Sequence, residues 1–387
     1  MMAGVSLATA AKARTAGATG NRSWSLVRRP FVDAVGGRRQ ERQLARRRPD
    51  KSLARFERIA LVLTSGEALG AYQAGAYAAL EKSGVRPNWI AGSGIGAVNA
   101  AIIAGNLPHE RTLHLRRFWQ QLSRRAAARR RWALGRWARR AVGGNLSFPR
   151  QGARPARVPA VPAAELRELI GEAVDFERVN SGAVRLVLGA VNLASGAETF
   201  FDNDRHVLDL DHVMAGTPLA GLPPVAIDGR LFGGGAISVS ALDEARPADT
   251  LCFAIDGYDP LPGGAGGVSR SAREVAALRR THDLRRMIAL LGERVPPAFR
   301  GDVDIRRCLA EASDATMTIL HLVHEGSADN LAAKMADFSS AAVTGRWNAG
   351  ESDIAVSLAH PLLLAPPPRL SGVVVHEVRG GVVAPQR

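Results

Sequence analysis

Trp89-Ile90-Ala91-Gly92-Ser93-Gly94-Ile95-Gly96-Ala97-Val98-Asn99-Ala100 is the stretch whose reading decides the fold. A short apolar run breaks on three alternating glycines and resumes as an Ala/Ile-rich segment. That order specifies a buried strand, a tight turn and a helix packed closely on the sheet. In a nucleophile elbow the same order lifts one side chain clear of the sheet edge, and in G-x-S-x-G that side chain is the middle residue. Here the midpoint between Gly92 and Gly96 is Gly94, and Ser93 comes one residue early. The run is too short and too interrupted by glycine to cross a membrane. Upstream, residues 59–64 are apolar almost throughout, as suits a strand buried on both faces of a parallel sheet. A loop at 65–70 follows, then a helix over 71–83 that ends at Gly84.

Ile59-Ala60-Leu61-Val62-Leu63-Thr64-Ser65-Gly66-Glu67-Ala68-Leu69-Gly70-Ala71-Tyr72-Gln73-Ala74-Gly75, the elbow from Gly92 to Gly96 and the segment from Asn99 to Asn106 together resemble the patatin-like phospholipase family. The similarity is to its bacterial branch with an extra C-terminal region, and it runs from about 59 to about 378. The resemblance implies an α/β chain with a three-layer α/β/α fold and a mostly parallel central sheet. It also implies lipid acyl ester hydrolysis by a Ser-Asp dyad, with no metal and no other cofactor. The family's motifs are a Gly-rich oxyanion loop, the G-x-S-x-G elbow and a D-G-G or D-G-A turn, and each is present here in altered form. The oxyanion loop, close to G-G-G-x-[KR]-G in the family, has Ser65 and Glu67 in place of glycines around Gly66, with Leu69 at the basic position before Gly70. The nucleophile position is Gly94. The acid position is Gly233, in Gly233-Gly234-Gly235, while Asp228 belongs to an Asp228-Gly229 hairpin turn five residues upstream and does not substitute. Glutamate at 67 is expected to block a positive-φ geometry and to put a carboxylate where negative charge would develop. Gly66 and Gly70 would also suffice for a tight strand-to-helix turn without any catalysis.

With 387 residues, 46% of them hydrophobic, the chain can bury an ordinary core. Cys252 and Cys308 are far apart, which suggests neither a disulfide framework nor a zinc site, fits a reducing cytosol, and marks both as buried small hydrophobes. The net charge of +15 is concentrated before residue 59 and between 116 and 150, and speaks to partners rather than to fold. The domain reading is a disordered basic tail at 1–57, a patatin-like domain at 58–258 with a basic insertion at about 116–162, and a C-terminal extension of helices and strands at 259–387. Ten arginines and no acid lie between Arg116 and Arg140. They form a basic helix in which Arg129, Arg130, Arg131, Trp132 and Trp137 are candidates for contact with an anionic membrane. The alternative is a solvated basic helix with both tryptophans packed inward. Residues 143–162 read as a Pro/Gly/Arg-rich linker. No RRM, helix-turn-helix or zinc-finger pattern accompanies the arginines, so lipid or an anionic membrane surface is expected as partner rather than specific nucleic acid.

Further along, a strand at 184–191 pairs through Ser195-Gly196 with 198–201, and strands at 250–255 and 317–324 alternate with helices at 268–291, 305–312 and 330–349. The tail after Pro366-Pro367-Pro368 reads as extended. His206 and His212 lie near several aspartates without a zinc spacing and read as polar loop residues. His321 and His324 read as structural strand residues. Two functions of different class follow. One is a non-catalytic lipid- or membrane-binding relative of the family, cytoplasmic or peripheral on the inner face of the membrane. The other is an acyl ester hydrolase using a displaced serine, Ser93 or Ser65.

Overall fold

Strands buried on both faces and joined through helices can pair only in parallel, and this rule organises the computed structural model. The residues described are 51–142, 161–217, 222–235, 237, 239–242, 246–257, 270–324, 331–367 and 371–383. The basic tail up to residue 50 and most of the expected linker, 143–160, lie outside them. After a 3-10 turn at Lys51–Arg55 the order is β1 (Arg58–Leu63), α1 (Gly70–Lys82), β2 (Trp89–Gly92), α2 (Ile95–Ala104) and α3 (Arg111–Val142). Next come α4 (Ala163–Ala173), α5 (Phe176–Asn180), β3 (Arg185–Val191), β4 (Glu198–Asp202), α6 (Leu210–Ala215), β5 (Val225–Ile227) and β6 (Arg230–Phe232). The chain continues through β7 (Thr250–Asp256), α7 (Arg270–Gly292), α8 (Val303–Leu309), β8 (Met317–Val323), α9 (Leu331–Met335), α10 (Ser340–Leu358), β9 (Val373–Arg379) and β10 (Val382–Val383).

Eight strands form one sheet in the order β10-β9-β8-β7-β1-β2-β3-β4. Every pairing from β9 to β3 is parallel, and the two edge pairings, β10 with β9 and β4 with β3, are antiparallel. Alternate residues of the strands point into two separate cores. Leu61, Leu63, Ile90, Leu188, Phe253 and Leu320 face α1 to α4 and α10. Ala60, Val62, Ala91, Cys252 and Ile319 face Leu278 of α7 and the short turn at Val239–Leu242. The expected three-layer α/β/α arrangement is therefore what forms. The 259–387 stretch adds β8, β9 and β10 to this same sheet.

Four local expectations change. The basic tail does not run to Glu57, because Leu53 and Phe56 are buried against the core. The single helix expected at 330–349 is two, because the Ser339 hydroxyl accepts the Ala342 N–H and starts α10 as a fresh helix. Part of the tail after Pro368 is strand β9, inserted beside β8. Cys308 is exposed rather than buried, while Cys252 is buried in the sheet.

Candidate functional site

β2 ends at Gly92, and the chain turns through Ser93 and Gly94 into α2 at the carboxyl edge of the sheet. Gly94 stands at φ +60°, ψ −139°, the left-handed half of the map where an L side chain is strained. Its flanks explain why the turn is so tight. A Cβ on Gly92 would lie 2.8 Å from the Ala100 Cβ, and one on Gly96 would lie 2.7 Å from the Thr64 carbonyl oxygen. The strand-to-helix turn is thus held tight by glycine at 92, 94 and 96.

The two serines beside it play different parts. Ser93 is fully buried, and its Oγ accepts the Ile237 N–H at 2.9 Å. Ser65 is exposed, its Oγ 3.4 Å from the Gly235 carbonyl oxygen and 3.5 Å from Ser93 Oγ. A Cβ built on Gly94 would lie 2.5 Å from Ser65 Oγ and 2.8 Å from Ser65 Cα and Cβ. Ser65, backbone included, occupies the space from which a residue-94 side chain would emerge.

Glu67 does adopt positive φ, +50°, contrary to the expectation that its side chain would block that geometry. The surrounding contacts over-determine the loop, which is how strained conformations persist. Ala68 and Leu69 are buried, and the Ala68 carbonyl accepts from the buried Arg346 guanidinium at 3.2 Å. Arg346 also donates to the carbonyls of Asp337 at 2.6 Å and Lys334 at 2.7 Å, and its burial pulls its pKa down. On the other side, Asn99 Nδ2 donates to the Gly70 carbonyl at 2.9 Å and to Gln73 Oε1 at 3.1 Å, while Trp119 Nε1 donates to Asn99 Oδ1 at 3.0 Å. Loop, elbow helix and α3 are one hydrogen-bonded block.

The acid-position turn arrives from β5 and β6. Gly233 N donates to the Val191 carbonyl at 3.1 Å, and Val191 N donates to the Gly234 carbonyl at 2.8 Å, so the turn rides on the end of β3. Gly94 N donates to the Gly216 carbonyl at 2.5 Å, which with the contacts of Ser65 and Ser93 draws all three motifs together. Among the described residues the atoms nearest a Cβ on Gly233 belong to the Leu193 side chain, at 3.5 Å or more, which is ordinary contact distance. Asp228 is exposed at the β5–β6 hairpin turn at φ +49°.

A polar cluster at the same sheet edge was not singled out in the sequence. Asp256, the last residue of β7, lies 2.6 Å from His321 Nε2, and both are buried. With Thr64 and Glu274 they line a small cleft floored by Val62, Ala254 and Ile319, on the α7 side of the sheet. A carboxylate closing the apolar run at 250–256 was the available signal. His324 stacks at a tilt on Tyr72 with ring centroids 4.9 Å apart. The expectation that His206 and His212 are polar loop residues holds only for His206: His212 lies in α6 with Nδ1 2.7 Å from the helix-capping Asp209, and both rings pack edge-on against Phe201 of β4. Among the described residues no three metal-binding side chains are placed to share an ion.

His324 supplies a pH prediction. Burial first, then the charges of Arg346 and Lys334, pull its imidazole from 6.5 down to about 4. A depressed folded-state pKa contributes stability that is present above 6.5 and lost as pH falls from there toward 4. Lowering the pH from 7 to 4 should cost about 2 kcal/mol through this group, after discounting for its partial exposure. Urea unfolding of the parent and of His324→Phe should show that part of the slope missing in the variant.

On α3 the arginines divide by partner. Arg116 pairs with Glu351 at 3.0 Å and lies over the Trp347 ring, Arg125 pairs with Glu168 at 2.6 Å, and Arg129 with Glu165 at 3.5 Å. Arg117, Arg124, Arg130 and Arg131 are exposed, and no ion pair links them to another of the described residues. Arg129 reaches Glu165 of α4 while its side chain stays 41% exposed. Trp132 is 59% exposed, against the inward-packed alternative, and the Trp137 side chain lies outside the described ones.

Comparison with known proteins gives a family match along most of this chain. A family model described as patatin-like phospholipase matches residues 61–246, and another described as patatin phospholipase matches 268–370. No curated protein sequence matches significantly. Among solved structures the chain is similar to VipD from Legionella pneumophila, at 12% identity over 82% of this chain and 71% of that one, with a TM-score of 0.28. It is also similar to a chain of the full-length SpcU–ExoU complex from the type III secretion system of Pseudomonas aeruginosa, at 16% identity over 65% of this chain and 61% of that one, with a TM-score of 0.26.

Proposed function

The chain belongs to the patatin-like phospholipase family, and from that premise we propose that it keeps the family's scaffold while acting by binding lipid or an anionic membrane surface, not by hydrolysis. The observation that supports this reading is the Ser65 backbone and hydroxyl standing where a residue-94 side chain would emerge. A serine merely replaced by glycine would leave a vacancy. Here the neighbouring loop has closed onto the elbow, so the space for a nucleophile is gone as well as its oxygen. With Gly233 at the acid position, the Gly233–Gly235 turn itself supplies no carboxylate to take a proton. Removing a nucleophile or its base from a catalytic unit costs roughly four to six powers of ten in rate, and removing both costs scarcely more. Glu67 adds a carboxylate to the loop whose amides would have to stabilise an oxyanion.

One observation favours the second reading, hydrolysis by a displaced serine. The Ser65 hydroxyl is exposed at the elbow, whereas Ser93 is buried and bonded to the Ile237 amide. Ser65 is therefore the serine to test. Its hydrogen-bond partners among the described residues are a carbonyl oxygen and another hydroxyl, neither of them a base, and a serine at its free pKa is a poor nucleophile.

The exposed arginines of α3 carry the membrane part of the proposal. α3 starts near the amino edge of the sheet, passes the elbow block at Trp119, and continues with Arg124, Arg130, Arg131 and Trp132 exposed. No described helix is long and apolar enough to cross a membrane. A peripheral position on an inner, cytoplasmic membrane face fits the basic helix, since that leaflet is anionic. Vesicle co-sedimentation tests this. At roughly 1 kcal/mol per basic residue near the surface, replacing Arg117, Arg124, Arg130 and Arg131 by glutamine should weaken binding to phosphatidylserine vesicles at least about a hundredfold. Added salt should do the same to the parent, and neutral vesicles should bind little. Equal binding to both vesicle types, or no loss in the variant, would refute the assignment.

A further inference from the structure

At the amino end of the sheet, away from the elbow, strand register sets an indole beside a guanidinium and a carboxylate. Trp89 opens β2 opposite Arg185, which opens β3, and Asp202 closes β4 opposite Val187. Side chains two apart on a strand share a face, so these four and Phe200 stand on the α7 side of the sheet. With Arg205 they line a small cleft. The Trp89 side chain is 3% exposed, and its Nε1 is buried with no hydrogen-bond partner. A buried donor is normally met by protein, by an ordered water or by a ligand. Asp202 does not meet it, because both its oxygens are taken. Oδ2 accepts from Arg185 Nε at 3.0 Å and Nη2 at 2.6 Å, and Oδ1 accepts from Arg185 Nε at 3.2 Å and the Asp204 N–H at 3.0 Å. Arg205, on the turn after β4, is exposed, and no hydrogen bond or ion pair links its side chain to another described residue.

We propose that this cleft binds a small molecule through a carboxylate, one oxygen on the Trp89 indole N–H and the other on the Arg205 guanidinium. Arg185 and Asp202 offset each other, and Asp204 reaches Arg185 only at 3.8 Å from a side chain 67% exposed. That leaves Arg205 as the lining charge without a counter-ion, and a guanidinium bonds most strongly to an anionic oxygen. The open space is about 20 Å³, little more than one water needs, which favours the two oxygens of a carboxylate over the four of a phosphate. Arg205 is also the lining group with the freedom to swing aside and admit an oxygen to Nε1. The cleft lies at the opposite end of β2 from the elbow, so it serves this ligand whether or not the elbow reacts.

The test is the indole N–H spectrum of the full chain, labelled with nitrogen-15 at its six tryptophans. The Trp89 resonance is assigned by its loss in Trp89→Phe and by nuclear Overhauser contacts to Val187. Sodium acetate should move it downfield along a saturating curve with a midpoint in the millimolar range, the scale open to so small a ligand. Arg205→Gln, at an exposed position, should keep the parent's circular dichroism and raise that midpoint at least about tenfold, as the loss of one charge-assisted hydrogen bond does. Sodium chloride and acetamide should leave the resonance in place. No movement with acetate overturns the proposal and leaves water as the acceptor. A midpoint indifferent to Arg205→Gln overturns it as well. So does an equal response to acetamide, which would make the ligand a neutral carbonyl.

Discussion

Gly94→Ser should destabilise the protein by about 3 kcal/mol and yield no esterase. The new Cβ would lie 2.5 Å from Ser65 Oγ and 2.8 Å from Ser65 Cα, and no rotation of Ser65 relieves the second contact. Overpacking of that kind costs about 1–3 kcal/mol, and a non-glycine residue in the left-handed region adds about 1–2 kcal/mol. The turn cannot yield easily, because Gly96 is pressed on the Thr64 carbonyl and the loop is clamped by Arg346 and Asn99. Gly233→Asp, by contrast, should be tolerated within about 1 kcal/mol, since the nearest described atoms to its Cβ, those of Leu193, lie at ordinary contact distance. Urea unfolding midpoints separate the two. On the proposed reading, hydrolysis is expected only when Ser65→Gly and Glu67→Gly are added to both. A stable, hydrolytic Gly94→Ser single variant would show that the loop does not fill the elbow.

Gly75→Val should cost about 4 kcal/mol or more, with the expressed protein largely insoluble. α1 and α10 cross with their backbones in contact. A Cβ at 75 would lie 2.7 Å from the Trp347 carbonyl carbon, and one at Gly350 would lie 2.7 Å from the Ala76 amide nitrogen. A branched side chain there must push apart two helices whose packing also seats Trp347 and Ile354 in the core. Backbone atoms cannot swing aside as a side chain can, which places this change in the severe tail of single substitutions. Gly345→Ala, on α10 but with nothing within 4 Å of its Cβ, is the matched control and should be neutral or slightly stabilising. Thermal unfolding of the pair reads the contrast.

Much of the fold was legible because it rests on local pattern. The apolar runs at 59–64, 89–92, 184–191 and 250–255 could only be doubly buried strands, and the glycines after the first two marked the turns into α1 and α2. The extended backbone after Pro366-Pro367-Pro368 was legible, but its pairing beside β8 as β9 was not, because a strand's partner leaves no local signal. The break before α10 was missed because a single N-cap serine, Ser339, is a weak signal inside an otherwise helical composition. At the site, the glycines at 94 and 233 could be read from spacing alone. The closure of Ser65 onto the elbow could not, since it depends on how two loops approach across the sheet edge. Nor could the split among the α3 arginines, because Arg129 differs from Arg130 only in facing Glu165 of α4. Glu67 shows the limit of residue-by-residue rules. Its side chain disfavours φ +50°, and the contacts of its neighbours hold it there regardless.

The central claim is that the elbow is occupied and unreactive. Intact-protein mass spectrometry after incubation of the full chain with a fluorophosphonate probe tests it directly. The account predicts no adduct on the parent, on Ser65→Ala or on Ser93→Ala. A single phosphonyl adduct on the parent, lost in Ser65→Ala and retained in Ser93→Ala, would contradict it and identify the serine beside the elbow as a working nucleophile.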